Sequence, residues 1–141
     1  MEPRLDRPKE AIDRLFEAAV AARAHAYAPY SRFAVGAAIR TASGAVFAGA
    51  NIENAAYPVG LCAEAAAIAA MVVAGEREIA EILILAEGGE PIMPCGACRQ
   101  RLFEFATPET MIHSAGPAGV ALSLTLAELL PHAFGRQSLA P

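Results

Sequence analysis

Three cysteines and one glutamate have the types and spacing to hold and use a metal ion: Cys62 and Glu64 in 61-LCAEAAAIAAMVV-73, and Cys95 and Cys98 in 94-PCGACRQ-100. A Cys-x-x-Cys turn that opens a helix puts two sulfurs within reach of one ion, and a third thiol at another helix start completes a face of a tetrahedron. That makes three ligands, one short of a closed structural site. Thiols bind zinc as thiolates, and the amide groups at two helix N-termini favour that form.

Other readings of the same residues exist. Cys62 alone in an alanine run reads as a buried thiol, and Cys95-x-x-Cys98 alone as a redox pair, but neither gives Cys62 and Glu64 a joint role. A closed structural site needs a fourth ligand from His25, His113 or His132. Their positions, near a helix end, in a strand and in a tail turn, suit surface or internally bonded histidines better.

Cys-Ala-Glu followed by Pro-Cys-Gly-Ala-Cys-Arg-Gln resembles the zinc-dependent cytidine deaminase family, in its small homotetrameric branch with three cysteines in place of one histidine and two cysteines. The segments 29-PYSRFAVGAA-38, 51-NIENAAY-57 and 129-LLPHAF-134 resemble family segments in the same order. The resemblance implies one zinc per subunit on Cys62, Cys95 and Cys98, with Glu64 shuttling protons. It also implies Phe33 against the pyrimidine ring, Asn51 and Glu53 on the ribose hydroxyl, and backbone near Ala63 and Met93-Pro94 on the base. Phe134 matches a phenylalanine that reaches over a neighbouring subunit's site, and Tyr57 a position at a subunit boundary. An amide and a carboxylate at i and i+2 share one face at a strand end, where they suit a diol. The implied reaction is hydrolysis of free cytidine and deoxycytidine to uridine and deoxyuridine with loss of ammonia, as in pyrimidine salvage, in a homotetramer with active sites at subunit interfaces.

One departure concerns charge. Many three-cysteine relatives have arginine directly after Cys-Ala-Glu, whereas this chain has Ala65. A divalent ion with three thiolates carries a net charge of about −1. The compensation expected here comes from the helix N-termini, aided by Arg99 beside Cys98.

Composition fits a small-molecule enzyme. A chain of 141 residues with 55% hydrophobic content is large enough for one cored domain, residues 1–141. The net charge of −4, without a lysine and arginine run, argues against a nucleic-acid polymer as partner. Met111 to Ala127 lacks Asp, Glu, Lys and Arg, but His113, Gly116-Pro117 and Gly119 interrupt it, so no membrane span is expected. The start, MEPRLDRPKE, is charged and lacks a signal peptide's apolar core, which suggests a cytoplasmic protein. An odd number of cysteines in a reducing compartment suits metal or catalysis better than disulfides. Positive mean hydropathy suggests apolar surface covered by further copies.

These residues need elements to position them. Lys9 to Ala26 places Ile12, Leu15, Phe16 and Ala19 on one helical face, ended by Pro29. Phe33 to Thr41 and Ala45 to Asn51 form a hairpin around Ser43-Gly44. An alanine-rich helix runs from Ala63 to about Ala74 and stops at Gly75. A strand, Ile82 to Ala86, precedes the Gly88-Gly89 loop, and a helix from Cys98 to Ala106 stops at Thr107-Pro108. Two strands follow, Met111 to Ser114 and Val120 to Leu124, and Thr125 with Glu128 forms a capping box for a last short helix through Leu130. The expected fold is α/β: a three-layer α-β-α sandwich with a mixed sheet of about five strands. Two rival functions remain: a non-catalytic zinc-binding domain, and a deaminase of another aminated base, such as a nucleoside antibiotic or nucleic acid. Zinc content without ammonia release from cytidine or deoxycytidine would mark the first.

Overall fold

The computed structural model describes residues 8–139, so the charged segment 1–7 lies outside the described residues. Apolar periodicity over Pro8–Arg23 makes helix α1, with Ala11, Leu15 and Ala19 buried. Strands β1 (Val35–Thr41) and β2 (Val46–Ala50) form the antiparallel hairpin, closed at a turn with Gly44 at φ 90°, a conformation that glycine adopts without Cβ strain. Helix α2 (Ala63–Val73) leads to β3 (Ile79–Ala86), and α3 (Gly96–Phe105) crosses from β3 to β4 (Met111–Gly116). Strand β5 (Gly119–Thr125), the single-turn helix α4 (Leu126–Leu129) and α5 (Arg136–Leu139) complete the described chain.

The strand order is β2-β1-β3-β4-β5. Only β3 and β4 pair in parallel, as their α3 crossover requires; the other pairs are antiparallel. Alternation along β1 and β3 divides the core between two faces. Val35, Ala37, Ile39, Ile82 and Ile84 pack with Ala67, Met71, Leu102 and Leu126, which belong to α2, α3 and α4. Ala38, Leu83 and Leu85 pack on the other face with Leu15 and Ala19 of α1. The three-layer sandwich and five-stranded mixed sheet expected from sequence are therefore observed.

Several boundaries moved, by one to three residues: α3 starts at Gly96 rather than Cys98, and β4 runs on to Gly116. Helix α1 ends at Arg23, three residues short of Ala26, because the chain turns to let Tyr27 donate its N–H to the Asn51 carbonyl at 2.9 Å and bridge Ile52. Strand β1 begins at Val35, leaving Phe33 in the preceding loop. Strand β3 begins at Ile79 because Glu81, although charged, pairs with both Arg40 of β1 and Met111 of β4. The capping box is present: Glu128 donates its N–H to Thr125 Oγ1 at 3.2 Å, and Thr125 donates its N–H to Glu128 Oε1 at 3.0 Å.

Helix α2 lies unusually close to the sheet. A methyl group at Gly49 would sit 2.5 Å from the Ala67 amide nitrogen and 2.7 Å from the Ala63 carbonyl oxygen. Such separations are far inside van der Waals contact, so the alanine run of α2 and Gly49 of β2 together fix how near the helix can approach. The head of α2 is the end that carries Cys62 and Glu64.

Glu81 anchors a polar knot on the α1 face. Arg40 Nε donates to its Oε1 at 2.9 Å, and His113 Nε2 lies 2.9 Å from its Oε2 while His113 Nδ1 lies 2.7 Å from Ser123 Oγ. The His113 hydrogen bond first, then those of Arg40, hold the Glu81 carboxyl below the usual carboxylate range despite burial. A carboxyl lowered by folding stabilises the protein fully above its unfolded pKa of about 4.3, and that stabilisation is lost as pH falls through the lower folded value. Glu81→Gln is expected to destabilise the protein by about 1–3 kcal/mol at neutral pH and to flatten the loss of stability in acid. Denaturant melts between pH 3 and 7 check both effects.

Candidate active site

The three cysteines that could hold a metal ion are set by two helix starts. Cys62 and Cys95 occupy the N-cap positions of α2 and α3 in extended conformation, and their carbonyls accept the first helical hydrogen bonds from Ala66 at 3.1 Å and Arg99 at 2.9 Å. Cys98 follows one turn into α3 and is fully buried, whereas Cys62 is half-buried and Cys95 exposed. The three sulfurs lie within 4.8 Å of one another. Zn–S distances of about 2.3 Å in a tetrahedron would put sulfurs about 3.8 Å apart, the same range as this cluster. The donors fit zinc.

The cluster gains no fourth protein ligand among the described residues. His113, the strand candidate for a closed site, is committed to Glu81 and Ser123 in the knot on the opposite face of the sheet. A zinc ion held by these three sulfurs would keep one coordination position for a molecule from outside the described residues.

Electrostatics within the cluster differ by position. The amide N–H groups of Cys98 and Ala97 at the head of α3 pull the Cys95 thiol below its usual range. Burial, chiefly, pushes the Cys62 and Cys98 thiols up, with the Glu64 charge adding to both. The head of α3 thus favours the thiolate at Cys95, whereas burial opposes it at the two more enclosed sulfurs, where a bound cation would favour deprotonation.

Glu64 is 6% exposed. Burial is the largest influence on its carboxyl and raises it; its own backbone N–H, the Cys98 side chain and the Arg101 charge oppose the rise. A buried acid beside three thiols, with its affinity for a proton increased, suits proton transfer better than charge pairing.

Arg99 is not the cation at the sulfurs. Its Nε donates to the Pro94 carbonyl at 2.7 Å and its Nη1 to the Leu129 carbonyl at 2.8 Å, so it ties the Pro94-Cys95 turn to α4. Arg101 takes the place expected for it: Nη1 lies 3.5 Å from Cys98 Sγ. Neighbours in sequence lie about 100° apart around a helix, whereas i and i+3 share a face. That spacing was the available signal for Arg101.

Asn51 and Glu53, expected at the ribose, lie on the chain leading into Cys62. Ile52 and Leu61 exchange backbone hydrogen bonds at 2.9 and 2.8 Å, which pins Asn51–Glu53 against the approach to α2. Asn51 accepts from the Val35 N–H and donates to the Phe33 carbonyl, both at 2.8 Å, so its amide shapes the loop before β1. Glu53 accepts from the Tyr30 N–H at 2.9 Å, the Ser31 N–H at 3.0 Å and the Ser31 hydroxyl. The Ser31 bonds are the main reason its carboxyl lies below the usual range. Tyr30 and Ser31 were missed in the sequence because their bonds to Glu53 span more than twenty residues.

Ala63 is buried at the head of α2, while Phe33 is 41% exposed and Phe134 61% exposed. Gln100 Nε2 holds the Phe134 carbonyl at 2.8 Å, so the tail backbone is tied to α3 with the ring left outside. A cleft of about 340 Å³ is lined by Tyr30, Ser31, Glu53, Asn54, Tyr57 and Gly60 among the described residues. Of the residues expected at the substrate only Glu53 lines it, and none of the three cysteines does.

The comparisons with known proteins point one way. Residues 9–114 match the cytidine and deoxycytidylate deaminase zinc-binding region. A cytidine deaminase of Halalkalibacterium halodurans is 41% identical over 125 residues, covering 89% of this chain and 95% of that protein. One from Mycobacterium tuberculosis is 42% identical over 122 residues, covering 86% and 87%. The crystal structure of cytidine deaminase from Burkholderia pseudomallei superposes with a TM-score of 0.82 at 44% identity, covering 86% of this chain and 98% of that one. Agreement of this extent in sequence and backbone makes the chain a member of the cytidine and deoxycytidylate deaminase family, a zinc-binding enzyme family.

Proposed function

We propose that the protein hydrolyses free cytidine and deoxycytidine to uridine and deoxyuridine, releasing ammonia, with zinc on Cys62, Cys95 and Cys98. The observation that carries this reading is the convergence of three sulfurs within 4.8 Å next to the buried Glu64. When bound, zinc supplies the Lewis acidity that lets a water molecule give up its proton near neutral pH. Glu64 receives that proton. Its raised affinity allows it to hold the proton in the enclosed site and deliver it to ring N3 as the water oxygen bonds to C4; Glu64 then takes the remaining proton of the C4 hydroxyl and gives it to the amine, which leaves as ammonia when the C4–N bond breaks and the C4 carbonyl forms.

The remaining residues bind and orient. Phe33, exposed in the loop before β1, offers a ring face to the pyrimidine, and the backbone at Ala63 offers polar groups to the base. Asn51 retains an amide hydrogen beyond the one given to Phe33, and the Glu53 carboxylate has acceptor capacity left for a ribose hydroxyl. Tyr30, Phe33, Ile52, Tyr57, Val59, Leu61 and Phe134 are exposed apolar residues, more than a solitary protomer of this size needs to show. In a homotetramer they are covered, and Phe134 of one subunit closes a neighbour's site. No described helix is long and apolar enough to cross a membrane. A cytoplasmic location is part of the same proposal.

Ammonia release from cytidine, deoxycytidine, free cytosine and a single-stranded oligodeoxynucleotide tests the substrate class. Turnover of the two nucleosides, at least 100-fold above cytosine and the polymer, is the order expected if sugar contacts act only on a free nucleoside. A zinc-loaded protein that releases ammonia from neither nucleoside would favour a non-catalytic zinc domain or a deaminase of another aminated base.

A further inference from the structure

Among the described residues, the cationic side chain that reaches the sulfur cluster is that of Arg101. Arg101 follows Cys98 by three residues on α3, and its Nη1 stands 3.5 Å from Cys98 Sγ. The guanidinium has five N–H donors and keeps its charge at any working pH. Arg99, the other cation in the motif, has Nε and Nη1 committed to the backbone carbonyls of Pro94 and Leu129. The chain offers no cation from the head of α2, where Cys62 and Glu64 are followed by Ala65.

Cys98 most needs such a partner. It is the fully buried sulfur of the three and lies one turn before Arg101 on α3. An exposed guanidinium placed over a buried sulfur can donate a hydrogen bond to it without itself being desolvated.

We propose that Arg101 is the positioning residue of the metal centre: its guanidinium holds Cys98 Sγ in place and balances the excess thiolate charge around zinc. The proposal rests on the assignment of the three cysteines as ligands. It predicts an effect on the metal separate from turnover, because Arg101 acts through Cys98 and has no part in the proton transfers given to Glu64. Groups that hydrogen-bond metal ligands typically change metal affinity by about 10–100-fold when removed. Since Arg101 is solvent-exposed, the lower end applies.

The test uses the full chain and four proteins: wild type, Arg101→Gln, Arg101→Lys and Cys98→Ala. Zinc affinity is read by competition with a chromophoric chelator. The cobalt-substituted forms are read by thiolate-to-metal charge-transfer absorption, and melting curves check the fold. Arg101→Gln is expected to melt like wild type, to bind zinc about tenfold more weakly, and to move the charge-transfer band to lower energy as a sulfur loses its hydrogen bond. Arg101→Lys, which keeps a charged donor, is expected to recover most of the affinity. Wild-type affinity and spectrum in Arg101→Gln, or no recovery in Arg101→Lys, would overturn the proposal. Undiminished zinc binding by Cys98→Ala would instead overturn the ligand assignment beneath it.

Discussion

Glu64→Gln is expected to leave the fold and the zinc content of the protein unchanged and to lower kcat on cytidine by at least 100-fold, towards 10,000-fold. The range is that of a positioned general acid–base group. Glutamine keeps the size of the buried side chain, and the groups that act on the Glu64 carboxyl, its own backbone N–H, the Cys98 side chain and the Arg101 charge, all belong to the site. What the amide cannot do is accept a proton from water and return it to the base. Near-wild-type ammonia release from the variant would remove Glu64 from the mechanism, while loss of zinc would show that it also supports the metal. Parallel metal analysis and steady-state kinetics separate these outcomes.

Cys98→Ala is expected to abolish stoichiometric zinc binding and, with it, deamination. Cys98 is the buried member of the sulfur cluster, and removing it leaves Cys62 and Cys95 as two ligands, one of them exposed. Two thiolates hold zinc far less well than three, and nothing among the described residues stands by to replace the third. The backbone of α3 should survive, because alanine suits a helix interior and the turn at Pro94 is held independently by Arg99. A variant that still carries one zinc per chain would contradict the three-cysteine site. Circular dichroism and metal content together decide the point.

The cysteine site was legible because its signal is local. Cys95 and Cys98 lie one turn apart at a helix start, and Cys62 with Glu64 opens a second helix, so spacing alone brings the groups to two helix heads. The capping box at Thr125 and Glu128 was legible for the same reason. Arg99 misled through adjacency: next to Cys98 in sequence, it points around the helix to Pro94 and Leu129, whereas Arg101 returns to the sulfur. Asn51 and Glu53 show the other limit. The sequence placed them at a strand end, but their bonds to Val35, Phe33, Tyr30 and Ser31 exist only once β1 and β2 pair. Glu81 hid the first residues of β3 because a charge in a buried strand looks like a break until Arg40 and His113 are beside it.

Ala65 also has a structural account. It is buried on α2, in a helix whose small residues let it settle against β1 and β2 where Gly49 has no side chain. Close packing of this helix places Cys62 and Glu64 beside the head of α3, and the charge near the thiolates is supplied from α3 instead, by Arg101.

The most direct measurement is a zinc titration of metal-stripped protein, with ammonia release from cytidine followed at each addition. Activity should be absent without metal, rise linearly, and level off at one zinc per chain, each ammonia matched by one uridine. Full activity in the stripped protein, or a chain that takes up one zinc and still leaves cytidine unchanged, would contradict the account.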